Sequence, residues 1–143
     1  MVSAKQVWAS SFDNAGHKPE NAWDGTDDKG ARTGFFQSKH EDDPWLRIHL
    51  TRCTRITSIT IGNSMRCCGI RFTKIEIRAG AKNDLTNPVV AFFEGPGTTT
   101  ENYVIRLKKP VGNAEYLTFQ RQKKNSVLQI NGIKLNEKAA LSK

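Results

Sequence analysis

Apolar and polar residues alternate with a period of two over most of residues 44–135, and no window sustains a helical repeat. Leu46, Ile48 and Leu50 alternate with Arg47 and His49, which predicts a half-buried strand with His49 on its polar face in a structural role. The same phase recurs in residues 55–62 (RITSITIG), where Ile59 and Ile61 alternate, and in residues 72–78 (FTKIEIR), through Ile75 and Ile77. Residues 89–93 (VVAFF) form a continuous apolar run, which predicts a short strand buried on both faces. Tyr103, Ile105 and Leu107 alternate with Val104, Arg106 and Lys108, and Leu117 alternates with Phe119 in residues 115–121. Across residues 128–135 the phase slips at Asn131-Gly132, which predicts a bulge. Pro44, Pro88, Pro96 and Pro110 sit at the boundaries of these runs, where a missing backbone donor does least harm to a sheet. About eight short strands at this spacing predict an all-β antiparallel sandwich or jelly roll. Trp8 and Phe12 are expected to close the fold near its ends, and the polar tail from residue 136 to fray.

Between the strands lie three loops with chemistry of their own. Residues 20–28 (ENAWDGTDD) are acidic and rich in turn formers, whose closely spaced oxygens suit either a capped surface turn or a hard cation such as calcium. The spacing is not that of an EF-hand loop. Residues 29–43 read as one long loop carrying His40. Residues 63–71 (NSMRCCGIR) join two strands and place Cys67 beside Cys68, flanked by Arg66 and Arg71. The only other cysteine is Cys53, so three states are open: a bond between the neighbours, one of them bonded to Cys53, or three thiols. A bonded pair of neighbours would make a rigid apolar plate between two forked cationic donors, suited to the C–H edge and hydroxyls of a pyranose.

Composition narrows the function. The 143 residues suffice for one domain with a real core, without internal repeats or low-complexity segments. A net charge of +8 permits anionic partners, but its scattered basic residues, with no stripe interleaved by aromatics, argue against nucleic acid. No run approaches the roughly 20 apolar residues of a membrane-spanning helix. The opening MVSAKQVWASS lacks an apolar signal core, which fits either a chain not exported by that route or a mature sequence given a new Met1. The absence of G-x-S-x-G, H-E-x-x-H and phosphate-cradling glycine loops predicts that the chain is not an enzyme.

With its strands placed, the chain resembles the discoidin-type, galactose-binding-like jelly roll, and more narrowly the F-type lectins, or fucolectins. The resemblance runs from Trp8 to Leu135 and is carried by Ala9-Ser10-Ser11, Asn21-Ala22-Trp23-Asp24-Gly25, residues 44–50 (PWLRIHL), residues 56–61 (ITSITI), Cys67-Cys68-Gly69-Ile70-Arg71 and the closing strands. It implies a secreted or cell-surface, calcium-supported, non-enzymatic lectin for terminal L-fucose, in which the neighbouring cysteines are bonded to each other beneath the sugar. By position, it assigns the sugar site to His40, Cys67, Cys68 and Arg71, and the cation to Asn21, Asp24, Thr26 and Ser38. The chain also departs from the pattern. Ser64 stands where the family has its first arginine, Arg66 where it has an aspartate, and Gly132 where it has a glutamate ligand. Arg66 is then the substitute donor, and Asp27 or Asp28 the substitute carboxylate. The loss of one charge-assisted bond, worth about 1.5–3 kcal/mol, leaves room for an altered glycan specificity. The second function consistent with the charge is a discoidin-like adhesion or assembly domain binding a protein or an anionic surface, such as a sulfated glycan or acidic lipid. Sugar lectins gain strength from several copies, so an oligomer is compatible with either.

Overall fold

The alternating segments are strands in the computed structural model, which describes residues 4–23, 36–62, 72–95, 103–130 and 132–137. Eight strands follow in order among these residues: β1 (Ala4–Ala9), β2 (Phe36–Gln37), β3 (Trp45–Gly62), β4 (Ile75–Gly80), β5 (Val89–Phe93), β6 (Tyr103–Arg121), β7 (Gln129–Ile130) and β8 (Gly132–Glu137). Two short 3-10 turns, Ala15–His17 and Pro19–Ala22, lie between β1 and β2.

Drawn straight, the 18 residues of β3 would span about 60 Å at ~3.3 Å each, while a domain of this size has a radius of gyration of only about 14 Å. The strand therefore has to bend, and its pairing with β6 shifts register three times between His49 and Ser58. On one side of the bend, β1, β3, β6, β4 and β5 form a five-stranded antiparallel layer. On the other, β8, β3 and β6 form a second layer, with Ile59 opposite both Ile105 and Leu135. The inward residues of both layers meet in one core containing Ile48, Ile59, Ile77, Ile105, Leu117 and Phe119. The fold is an all-β antiparallel sandwich, and its two long strands belong to both layers.

The structure corrects several details. β5 is a strand, but it lies at the edge of its layer and leaves Val89 and Phe92 47% and 48% exposed, because nothing among the described residues covers its outer face. Residues 128–135 are two strands in different sheets rather than one bulged strand: β7 pairs with β2, and β8 with β3. Pro110 falls inside β6, in the stretch between Arg106 and Val111 where pairing to β3 is interrupted, so no regular ladder donor is missed there. Within the expected loop 29–43, residues 36–37 form β2 and Glu41 bridges to Ser126. Phe12 is 42% exposed and does not close the core, whereas Trp8 is half-buried against His49. Asn136 and Glu137 belong to β8 rather than to a frayed tail.

Candidate functional site

One late stretch of chain, residues 122–132, fastens the elements around the candidate site. Gln122 N donates to Lys74 O at 2.8 Å, fixing the chain just after the 63–71 segment. Gly132 pairs with Gly62, fixing the chain just before it. Asp43 N donates to Lys123 O at 3.0 Å, Glu41 and Ser126 exchange backbone hydrogen bonds at 3.0 and 2.9 Å, and Phe36 pairs with Ile130. The roots of the cysteine segment and the segment carrying His40 therefore open from the same end of the sandwich. Arg121 braces this stretch from inside: it is 8% exposed, and its Nη1 donates to Val127 O at 2.6 Å.

His40 is exposed, and its neighbour holds it in place. Both Ser10 Oγ and Ser11 Oγ donate to Glu41 Oε2 at 2.6 Å. Ser11 Oγ also accepts from Lys39 N, and Ser10 Oγ from Trp45 N, each at 3.0 Å. Two hydroxyls thus clamp the backbone on either side of His40. Ser38 is fully buried: its hydroxyl donates to Lys39 O and accepts from Leu128 N, both at 2.9 Å. Asn21 lies in the second 3-10 turn, where its Nδ2 donates to Gly16 O at 2.9 Å. That turn region is tied to β2 through Asp13, whose N donates to Gln37 O and whose carboxylate accepts from Gln37 Nε2 and contacts His17 Nδ1 at 2.7 Å. On the rim, Lys124 Nζ donates to Asp43 Oδ2 at 2.6 Å, and this bond and charge raise the lysine's pKa.

Of the residues named from the sequence, the structure places Asn21, Ser38 and His40 at this end. Asp24, Thr26, Arg66, Cys67, Cys68 and Arg71 lie outside the described residues, as do Asp27, Asp28 and Ser64. The positioning residues Ser10, Ser11, Glu41, Arg121 and Ser126 went unassigned in the sequence reading. Ala9-Ser10-Ser11 marked two of them, and an acid directly after His40 was the available signal for a third. As to calcium, the proposed donors Asn21, Asp24, Thr26 and Ser38 are all oxygen bearers, the chemistry of a hard cation. Ser38 Oγ has one lone pair committed to Leu128 N and one remaining. Gly132 is buried and supplies no side-chain donor. The residue types fit such an ion. Among the described residues, no three His, Cys, Asp or Glu side chains cluster to hold a metal.

The family pattern of the F5/8 type C domain matches residues 6–133, and the chain belongs to that family. A fucolectin of Anguilla anguilla is 37% identical over 109 residues, covering 73% of this chain and 68% of that protein. Fucolectin-1 of Anguilla japonica is 30% identical over 122 residues, covering 82% and 67%. Within the family, the chain sits with the fucolectins. The crystal structure of a fucolectin from Morone saxatilis (striped bass) serum superposes with a TM-score of 0.80 at 25% identity, covering 92% of this chain and 46% of that one. The chain thus spans about half the length of that lectin. A Streptococcus pneumoniae fucose binding module shares the fold at a TM-score of 0.76 and 17% identity, covering 95% and 93%.

Proposed function

We propose that this chain is a lectin module that binds a fucosylated or related glycan at the loop end, acting by recognition rather than catalysis. The observation that carries the reading is the common anchorage just described. Both roots of the cysteine segment and the His40 segment are fastened to residues 122–132. The names of the relatives support the ligand class: fucolectins, and a fucose binding module of the same fold. In this reading His40, Arg66 and Arg71 donate to sugar hydroxyls and a bonded Cys67–Cys68 pair supports the apolar edge of the ring. Asn21, Asp24, Thr26 and Ser38 would hold calcium, whose part is to brace the loops rather than to react. An extracellular setting goes with this use, in line with the serum origin of the striped-bass lectin.

A glycan array followed by titration calorimetry with L-fucose, with and without a calcium chelator, tests the proposal. Binding is expected, with His40→Ala weakening it about tenfold through loss of one strong hydrogen bond. Absence of binding to any glycan at millimolar sugar overturns the reading. Peptide mass spectrometry with and without reductant shows whether Cys67 and Cys68 are joined.

A further inference from the structure

The face of the five-stranded layer that points away from the core carries a buried cation with neutral partners. Arg47 is only 7% exposed; its Nε donates to Thr118 Oγ1 at 3.3 Å and its Nη1 to Asn83 Oδ1 at 3.2 Å. These bonds use two of the five N–H donors of a guanidinium. Among the described residues, no carboxylate lies in ion-pair contact with it. Burial lowers its pKa, and the nearby charge of Asp84 acts in the opposite direction. None of its nitrogens is both buried and without a partner among the described residues, so its unbonded Nη2 reaches solvent, and an anion arriving there would meet a cation whose hydrogen-bond partners are neutral.

The surroundings indicate what kind of anion. Residues 45, 47 and 49 share one face of β3, and the Arg47 guanidinium lies 4.4 Å from the centre of the Trp45 ring. Trp8 pairs directly with Arg47 across β1, and its ring stacks on His49 at 6.2 Å; His49 stacks on Tyr116 at 4.3 Å. Two of the three tryptophans therefore stand half-buried on a face the core does not use. Rings beside a forked donor match a ligand with C–H surfaces and one negative group. We propose that Arg47, Trp45 and the Trp8–His49–Tyr116 stack form a second saccharide site, on the sheet face, for an acidic sugar whose carboxylate or sulfate meets the guanidinium. The net charge of +8 favours the encounter. Asp84, on the exposed turn beside Asn83, tempers the affinity. This site does not depend on the loop-end reading.

The test is titration calorimetry of the full chain with trigalacturonate and with a heparin-derived tetrasaccharide, each with and without saturating L-fucose. At least one acidic oligosaccharide is expected to bind, more weakly as salt rises and equally well in the presence of fucose. Binding of trigalacturonate shows that a carboxylate suffices, whereas binding of the heparin fragment alone, which carries uronate carboxylates too, points to its sulfates. Arg47→Lys, which keeps the charge and loses the planar fork, is expected to weaken binding about tenfold. Asp84→Asn is expected to tighten it about threefold by removing a competing charge. Silence from both oligosaccharides at millimolar concentration overturns the proposal, as does displacement by fucose, which would assign the ligand to the loop end. Unchanged affinity in both variants overturns it too. Should Arg47→Lys fail to fold, Asp84→Asn decides alone, because the side chain is exposed and an asparagine oxygen can still accept from Thr86. If the chain ignores fucose, the acidic sugar is assigned by variants: binding weakened in Arg47→Lys and kept in His40→Ala leaves this site standing whatever the loop end binds, and the reverse pattern overturns it.

Discussion

The Ser11 hydroxyl donates to Glu41 Oε2 at 2.6 Å, tying together residues 30 positions apart in the chain. Ser10 donates to the same oxygen at the same distance, so one carboxylate fastens the end of β1 to the segment bearing His40. Glu41→Ala is expected to lower stability by about 2–3 kcal/mol, since two charge-assisted bonds are lost together. Urea unfolding measures this, and sugar titration at a denaturant-free stability margin should show weaker binding as His40 loses its fixed position.

Gly95 adopts φ +69°, and a Cβ built there would lie 2.7 Å from Phe72 O and 2.9 Å from Thr73 Cα. Neither backbone atom can move aside cheaply. Gly95→Ala is expected to cost about 2–4 kcal/mol from left-handed strain plus overpacking, read as a lower thermal midpoint. Because Phe72 directly follows the cysteine segment, the variant should also lose glycan affinity.

Asp84 accepts from both the backbone N and the hydroxyl of Thr86, at 2.8 and 2.6 Å, and these bonds hold its carboxyl below the ordinary carboxylate pKa of 3.8. A depressed folded value means that the charged form favours folding. The contribution is fully present above the unfolded value and is lost as pH falls through the folded one. Wild type should therefore exceed Asp84→Asn in thermal stability at neutral pH, and the gap should close at pH values well below 3.8. A gap that widens on acidification contradicts this assignment.

His49 and Tyr116 are directly paired across β3 and β6, with ring centres 4.3 Å apart and planes 20° from parallel. A double-mutant cycle with His49→Ala and Tyr116→Ala should give a coupling of about 0.5–1.5 kcal/mol. A coupling near zero would mean that the rings merely lie side by side.

The period-two pattern made the strand cores legible: Leu46, Ile48, Ile59, Ile75, Ile77, Leu117 and Phe119 are all buried as their phase requires. Alternation speaks only of which face a residue takes, and not of what covers that face. It therefore gave no warning that β5 lies at an edge, or that Arg47, on the polar face, would be buried beneath Asn83. The slip at Asn131 was visible, but a bulge and a change of sheet leave the same trace in hydrophobicity. Pairing partners, β2 for one half and β3 for the other, distinguish them. At the candidate site, the resemblance to the F-type lectins named His40, Asn21 and Ser38 by position, while the clamps around them depend on contacts between distant parts of the chain. The reach of Ser10 and Ser11 to Glu41 is one such contact, and no local pattern records it.

The stretch from Gln122 to Gly132 also sets an order of events during biosynthesis. Lys74, Asp43, Glu41, Phe36 and Gly62 each take a backbone partner from it, and it emerges from the ribosome after every one of them. Nascent chains that have not yet delivered it can pair the earlier strands but cannot fasten this end of the sandwich, so under the proposed function sugar binding would come late in synthesis.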